Sequence, residues 1–120
     1  MALRAIRGAT QVEANERELI LEATAELVTE VMTRNELMID DVVSVIFTTT
    51  SDLTAEFPAA AARKLGFGEV PLLCAAEIDV PGALPRVVRL MAYVETERTR
   101  GEIRHVYLRG AIALRRDIAQ

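Results

Sequence analysis

Apolar residues recur along this chain with two different periods, and the changes of period divide it into elements. From Leu3 to Val12 apolar and polar positions alternate, with Ile6, Thr10 and Val12 adding β-branched residues, which predicts a strand. Ile20, Ala23, Leu27 and Val31 then recur at helical spacing. Asn15 with Glu18 three residues later forms a capping-box pattern, so a helix of about five turns is expected to run to near Arg34. Glu16, Arg17, Glu22, Glu26 and Glu30 fall on its outer side. Asn35 to Asp41 is a connection. Val42 to Thr50 is apolar on both faces for most of its length, which predicts a strand covered on both sides. Phe57-Pro58 opens a short alanine-rich helix that stops at Gly66, with Arg63 and Lys64 in the last turn, where the helix dipole favours cations. Val70 to Ile78 reads as a further strand, and the link from Asp79 to Pro85 carries two prolines and a glycine that cannot continue a sheet interior. The run from Pro85 to Val94 ends at Glu95-Thr96-Glu97 and reads as a strand. After a polar loop at 98–101, Ile103 to Leu114 reads as a last extended segment, interrupted at Gly110 by a bulge. The order β-α-β-α-β-β-β predicts one mixed α/β or α+β domain over residues 1–120, with two helices packed on a five-stranded sheet.

Composition narrows the function classes. The chain has 120 residues, of which 51% are hydrophobic and only 4% aromatic, so its core is built from Val, Ile, Leu and Ala. A small chain this apolar is expected to bury part of that surface between subunits. The formal charge of −4 argues against nucleic acid as the main partner. No apolar run reaches the length of a membrane span, and Arg4 and Arg7 interrupt the first apolar residues, so neither a membrane protein nor a signal peptide is expected. The single cysteine, Cys74, excludes an intrachain disulfide and fits a reducing cytoplasm. Thirteen arginines stand against one lysine, Lys64, and Arg is the better residue for bidentate recognition of carboxylate or phosphate.

Two of those arginines lie inside apolar strands. Arg89 shares a strand face with Val87, Met91 and Tyr93, and Arg7 shares one with Leu3 and Ala5. A guanidinium does not lose its charge, and burying one without an anion costs several kcal/mol in rough terms. An arginine in a strand more often marks a solvated face or a structural ion pair than a ligand site, but two in such settings balance the readings. Gly8, directly after Arg7, permits close approach by another backbone or a ligand. Arg63, Cys74, Glu77, Tyr107 and Arg115 complete the candidates. Cys74 fits a small buried hydrophobe better than a nucleophile, since the only histidine, His105, lies in another element. Glu77 fits a base, an ion-pair partner or a surface residue equally. One His and one Cys do not make a metal site, and phosphate-loop, HExxH and serine-elbow motifs are absent from the sequence. The remaining set suits non-covalent grip on a small dianion.

Five segments carry a resemblance: Arg-Gly-Ala-Thr at 7–10, Thr-Ser-Asp-Leu-Thr-Ala-Glu-Phe-Pro-Ala at 50–59, Val-Pro-Leu-Leu-Cys-Ala-Ala-Glu-Ile-Asp-Val-Pro-Gly at 70–82, Pro-Arg-Val-Val-Arg-Leu-Met at 85–91 and Ile-Arg-His-Val-Tyr-Leu-Arg at 103–109. In order and spacing, from about residue 3 to Asp117, the chain resembles the AroH class of chorismate mutase. The resemblance implies a homotrimer of mixed α/β subunits around a central pseudo-barrel, with active sites between subunits. It implies conversion of chorismate to prephenate without a cofactor, a step toward phenylalanine and tyrosine. By position, Arg7 and Tyr107 match residues that hold a substrate carboxylate, and Arg89 matches the arginine that meets the ether oxygen. Glu77 and Cys74 match the pair near the ring hydroxyl. Phe57, Leu73 and Leu114 match apolar or backbone contacts, and Arg63 and Arg115 match cations at the pocket mouth. Ala60 departs from relatives that carry a charge there. Two rivals share parts of this outline: a small trimeric imine deaminase and a non-catalytic trimeric binder of an aromatic acid.

Overall fold

A computed structural model describes residues 1–114. It contains five strands, β1 (Ala2–Gln11), β2 (Val42–Thr49), β3 (Leu72–Ala76), β4 (Val87–Thr96) and β5 (Val106–Tyr107), and two α-helices, α1 (Arg17–Arg34) and α2 (Ala59–Lys64). Short 3-10 turns occupy Ile39–Asp41, Arg100–Glu102 and Arg109–Leu114. The strands form one mixed sheet in the order β3-β2-β4-β1-β5. β4 runs antiparallel to β1 and β2 on either side of it, while β3 is parallel to β2 and β5 to β1. The expected α+β architecture of five strands and two helices is therefore the observed one.

One face of the sheet is closed by α1, as its sequence period requires. Ile20, Leu27 and Val31 of α1 pack with Ile6, Phe47, Leu90 and Val94 in a single buried cluster. A Cβ built on Gly8 would stand 3.2 Å from Leu27 and 3.2 Å from Leu90. The close approach read at Gly8 is thus made by core side chains rather than by a ligand, and it lets α1 settle on the sheet. The opposite face is open in the single chain. On β2, Val45 and Phe47 are buried, but Ser44, Ile46 and Thr48 are only half-buried. The expectation that β2 is covered on both sides therefore holds for one side, because among the described residues no helix crosses the second.

Two local readings are corrected. Asn15 does not cap α1: the cap position is Glu16, without a side-chain hydrogen bond. Asn15 Oδ1 instead accepts the backbone N–H groups of Thr54 (2.9 Å) and Ala55 (3.0 Å), tying the 54–55 loop to the start of the helix. The segment from Ile103 to Leu114 is a strand only at Val106–Tyr107. Arg109 takes φ +54°, which turns the chain out of the sheet into a 3-10 helix, so Gly110 lies in that turn and not in a bulge. A side chain at 110 would displace the end of the Gln11 side chain.

The two-residue β5 is anchored from α1. Asn35, 1% exposed, donates from Nδ2 to the carbonyls of Val31 (3.0 Å) and Arg104 (2.9 Å) and accepts the Arg104 N–H (2.8 Å). Further on, the Leu108 N–H donates to the Ala9 carbonyl at 2.9 Å. Among the described residues, no helix is long and apolar enough to cross a membrane.

Candidate active site

Sheet register decides which polar side chains meet. Arg89 of β4 lies opposite Ala9 of β1 and Thr48 of β2, and Arg7 lies opposite Met91. Side chains alternate across strands, so Arg7, Thr48, Arg89 and Met91 project from the open face, away from α1. Tyr107 pairs with Ala9 on the other flank of β1 and is 3% exposed. These residues, with Glu77 and Ile46, line a cavity of about 220 Å³.

Glu77 follows the end of β3, and its N–H donates to the Thr49 carbonyl at 2.9 Å, which extends the ladder by one rung. Its side chain turns back along the open face. Glu77 Oε1 accepts the Thr48 hydroxyl at 2.6 Å and lies 3.3 Å from Arg89 Nε. That nitrogen is buried, and although it is within ion-pair distance its geometry forms no hydrogen bond. The Arg89 side chain as a whole remains 40% exposed, so the guanidinium can still be reached by a ligand. Two fixed cations and one carboxylate leave the cavity positive, which suits a ligand with more than one anionic group.

The neighbourhood of Arg7 is fixed through its main chain. The Arg7 N–H donates to His105 Nδ1 at 3.0 Å, just ahead of the short β1–β5 pairing. His105 thus ties the approach to β5 to the main chain of β1.

The remaining candidates are distributed around this cavity. Phe57 and Cys74 line a separate cavity of about 460 Å³ together with Glu56 and Pro58. Cys74 pairs with Phe47 and packs against the core, so it faces away from the side on which Glu77 meets Arg89. Cys74 and Glu77, which the resemblance matches to residues near a ring hydroxyl, therefore point to opposite faces within one chain. Leu73, 60% exposed, stands on the open face opposite Ile46. Arg63 is exposed in the last turn of α2. Leu114 is half-buried against the cluster of Ala9, Val87, Tyr107 and Ala111. Arg115 lies outside the described residues.

Glu56, beside Phe57, has its carboxyl held below the ordinary range, chiefly because it accepts the Phe57 N–H at 2.8 Å and also the Arg17 Nε–H at 3.0 Å. Thr48, Ile46 and Met91 were not among the candidates read from the sequence. Strand alternation puts Thr48 on a definite face of β2, but only the β2–β4 pairing brings it to Arg89. Among the described residues there is no group of three or more His, Cys, Asp or Glu arranged to hold a metal ion.

Fold and cavity together define an α+β protein with a small cationic pocket on the uncovered face of a mixed sheet. The family model for chorismate mutase type I matches residues 3–118. Chorismate mutase AroH of Thermus thermophilus is 47% identical over 117 residues, covering 97% of this chain and 96% of that protein. Chorismate mutase AroH of Bacillus subtilis (strain 168) is 42% identical over 120 residues, covering 99% and 94%. A solved chorismate mutase from Clostridium thermocellum superposes with a TM-score of 0.91 at 46% identity, covering 92% of this chain and 98% of that one. The chain belongs to the chorismate mutase type I family.

Proposed function

We propose that this chain converts chorismate to prephenate, and that it does so by holding the reactive conformer and placing fixed positive charge beside the ether oxygen. The observation that carries the reading is the convergence of Arg7, Arg89, Glu77 and Tyr107 on one cavity of about 220 Å³. The Claisen rearrangement breaks one C–O bond as it forms one C–C bond, within a single molecule. No proton, electron or leaving group is exchanged with the protein. Negative charge grows on the ether oxygen and positive character on the ring.

Each residue then has a task that its chemistry allows. Arg89 is a permanent cation with a planar fork, able to bridge the ether oxygen and a carboxylate at once. Arg7 and the Tyr107 hydroxyl hold a carboxylate and so fix the folded substrate conformer, which removes much of the entropic part of the barrier. Glu77 accepts the ring hydroxyl and balances the charge that accumulates there. A preorganised donor aimed at developing charge acts without reorganising when the bond breaks.

The apolar open face supports a trimeric assembly in which neighbouring chains complete each site. In that arrangement Phe57, Leu73 and Cys74 of one chain close the pocket of another, Leu114 lines it, and Arg63 stands at its mouth. A reducing cytoplasm is the compartment that a single half-buried cysteine fits.

The test is the loss of chorismate absorbance over time in the presence of the purified chain, with prephenate identified as product. Binding of chorismate without its consumption would convert the reading to a non-catalytic binder, and hydrolysis of an imine substrate instead would assign the deaminase reading.

A further inference from the structure

We propose that Thr48 is a positioning residue for this reaction: its hydroxyl pins the Glu77 carboxylate so that the Arg89 fork stays open to substrate. This inference rests on the chorismate mutase reading of the site. The Thr48 hydroxyl donates its one proton to Glu77 Oε1 at 2.6 Å, and the same oxygen lies 3.3 Å from Arg89 Nε without forming a hydrogen bond.

The surroundings show why a threonine at this position can aim that carboxylate. Thr48 stands between Ala75 of β3 and Arg89 of β4 in the pairing of β2. Ala75 has too short a side chain to occupy the open face beside Thr48, so Glu77, two residues further along, reaches back diagonally across the gap. A β-branched side chain has few χ1 choices, so the hydroxyl direction is set by the strand itself.

Without that hydroxyl, the carboxylate can rotate into the two-point contact that guanidinium and carboxylate favour. Such a pair would satisfy the Arg89 fork internally and take it from the ether oxygen and carboxylate of the substrate. Thr48 therefore acts through Glu77, and touches neither the breaking bond nor the forming one.

The experiment compares Thr48→Val, Thr48→Ser and the wild-type chain, each also in a Glu77→Ala background. Thr48→Val conserves shape and removes only the hydroxyl. It is expected to lower kcat/KM about tenfold or more, the loss falling mainly on kcat because the fork is most needed as charge develops. Thr48→Ser restores most of the rate. In the Glu77→Ala background the Thr48→Val effect shrinks to within about twofold, which a packing role would not produce. Ligand-free crystal structures of the single variants give a readout independent of turnover: the Glu77 carboxylate swings onto Arg89 in Thr48→Val and stays in place in Thr48→Ser. Wild-type rates in Thr48→Val, an undiminished effect in the Glu77→Ala background, or an unmoved Glu77 carboxylate would each overturn the proposal. A wild-type chain that leaves chorismate unchanged overturns the functional reading instead, and the carboxylate position still decides the role of Thr48.

Discussion

Arg89 offers both a positive charge and a planar, forked donor, and the proposed catalysis uses the two together. Replacing it with lysine tests which property matters. Lysine supplies the same charge as a single point on a flexible stem, and cannot bridge two acceptors as a planar fork does. Arg89→Lys is therefore expected to lower kcat/KM by on the order of a hundred- to a thousandfold, the loss typical of removing one oxyanion donor. Steady-state rates on chorismate check it, and wild-type turnover in the lysine variant would remove the case for charge placement. At this scale the site was partly legible. Arg7 and Arg89 stood out because a permanent charge within an apolar strand needs an explanation that the strand does not provide. Glu77 was visible only as one of three open readings. Thr48 was not visible at all, since a threonine at the end of an apolar run is ordinary until its partners across two strand pairs are known.

Elements hold these residues in place, and two of the supports can be tested. β5 carries Tyr107 on two residues of strand, too few to hold themselves. Asn35 secures its entry by two hydrogen bonds to the Arg104 backbone, while a third to the Val31 carbonyl holds the 1%-exposed side chain on α1. Asn35→Ala would leave the Arg104 N–H and two carbonyls without these partners, and is expected to cost about 2–4 kcal/mol of stability. Denaturant unfolding measures that loss. A variant within about 0.5 kcal/mol of wild type would show that water replaces the side chain without penalty. The second support is Glu56, whose carboxyl is held below its ordinary range by the Phe57 N–H and by Arg17. A group with a lowered folded-state pKa stabilises the fold above its unfolded pKa, and that contribution is lost as pH falls through the folded value. Glu56→Gln should therefore melt below wild type at neutral pH, with the gap closing as the solution is acidified through the carboxylate range and below. Melting temperatures of both proteins across that range check the sign, and a gap that widens with acid would contradict it. Strands and helices themselves followed from period and composition, which is why the five-plus-two architecture was readable. The capping of α1 and the end of the chain's last segment were not. Asn15 is used by a loop about forty residues away, and positive φ at Arg109 is a backbone property that no apolar pattern announces.

At the scale of the whole molecule, the open sheet face is the feature the single chain leaves unexplained. Ile46, Met91 and Tyr93 are only half-buried there and Leu73 is 60% exposed, while Phe57 and Ile78, outside the strands, are 66% and 82% exposed. Exposed apolar side chains of this kind fit a surface that a neighbouring chain would cover. The Phe57–Cys74 cavity, which shares no lining residue with the Arg89 cavity, would be supplied to a neighbour by the same association. If sites are shared in this way, assembly and activity must fail together. Leu73→Asp puts a charge at an exposed apolar position on edge strand β3, where the isolated chain loses almost nothing but an interface must desolvate a carboxylate. The wild-type chain is expected to sediment as a trimer, and Leu73→Asp as a folded monomer with little turnover. Equilibrium sedimentation, circular dichroism and the chorismate assay on the same samples separate the possibilities. A monomeric wild-type chain with full activity would confine the site to one subunit. A Leu73→Asp trimer with unchanged rates would move the interface off this face of the sheet.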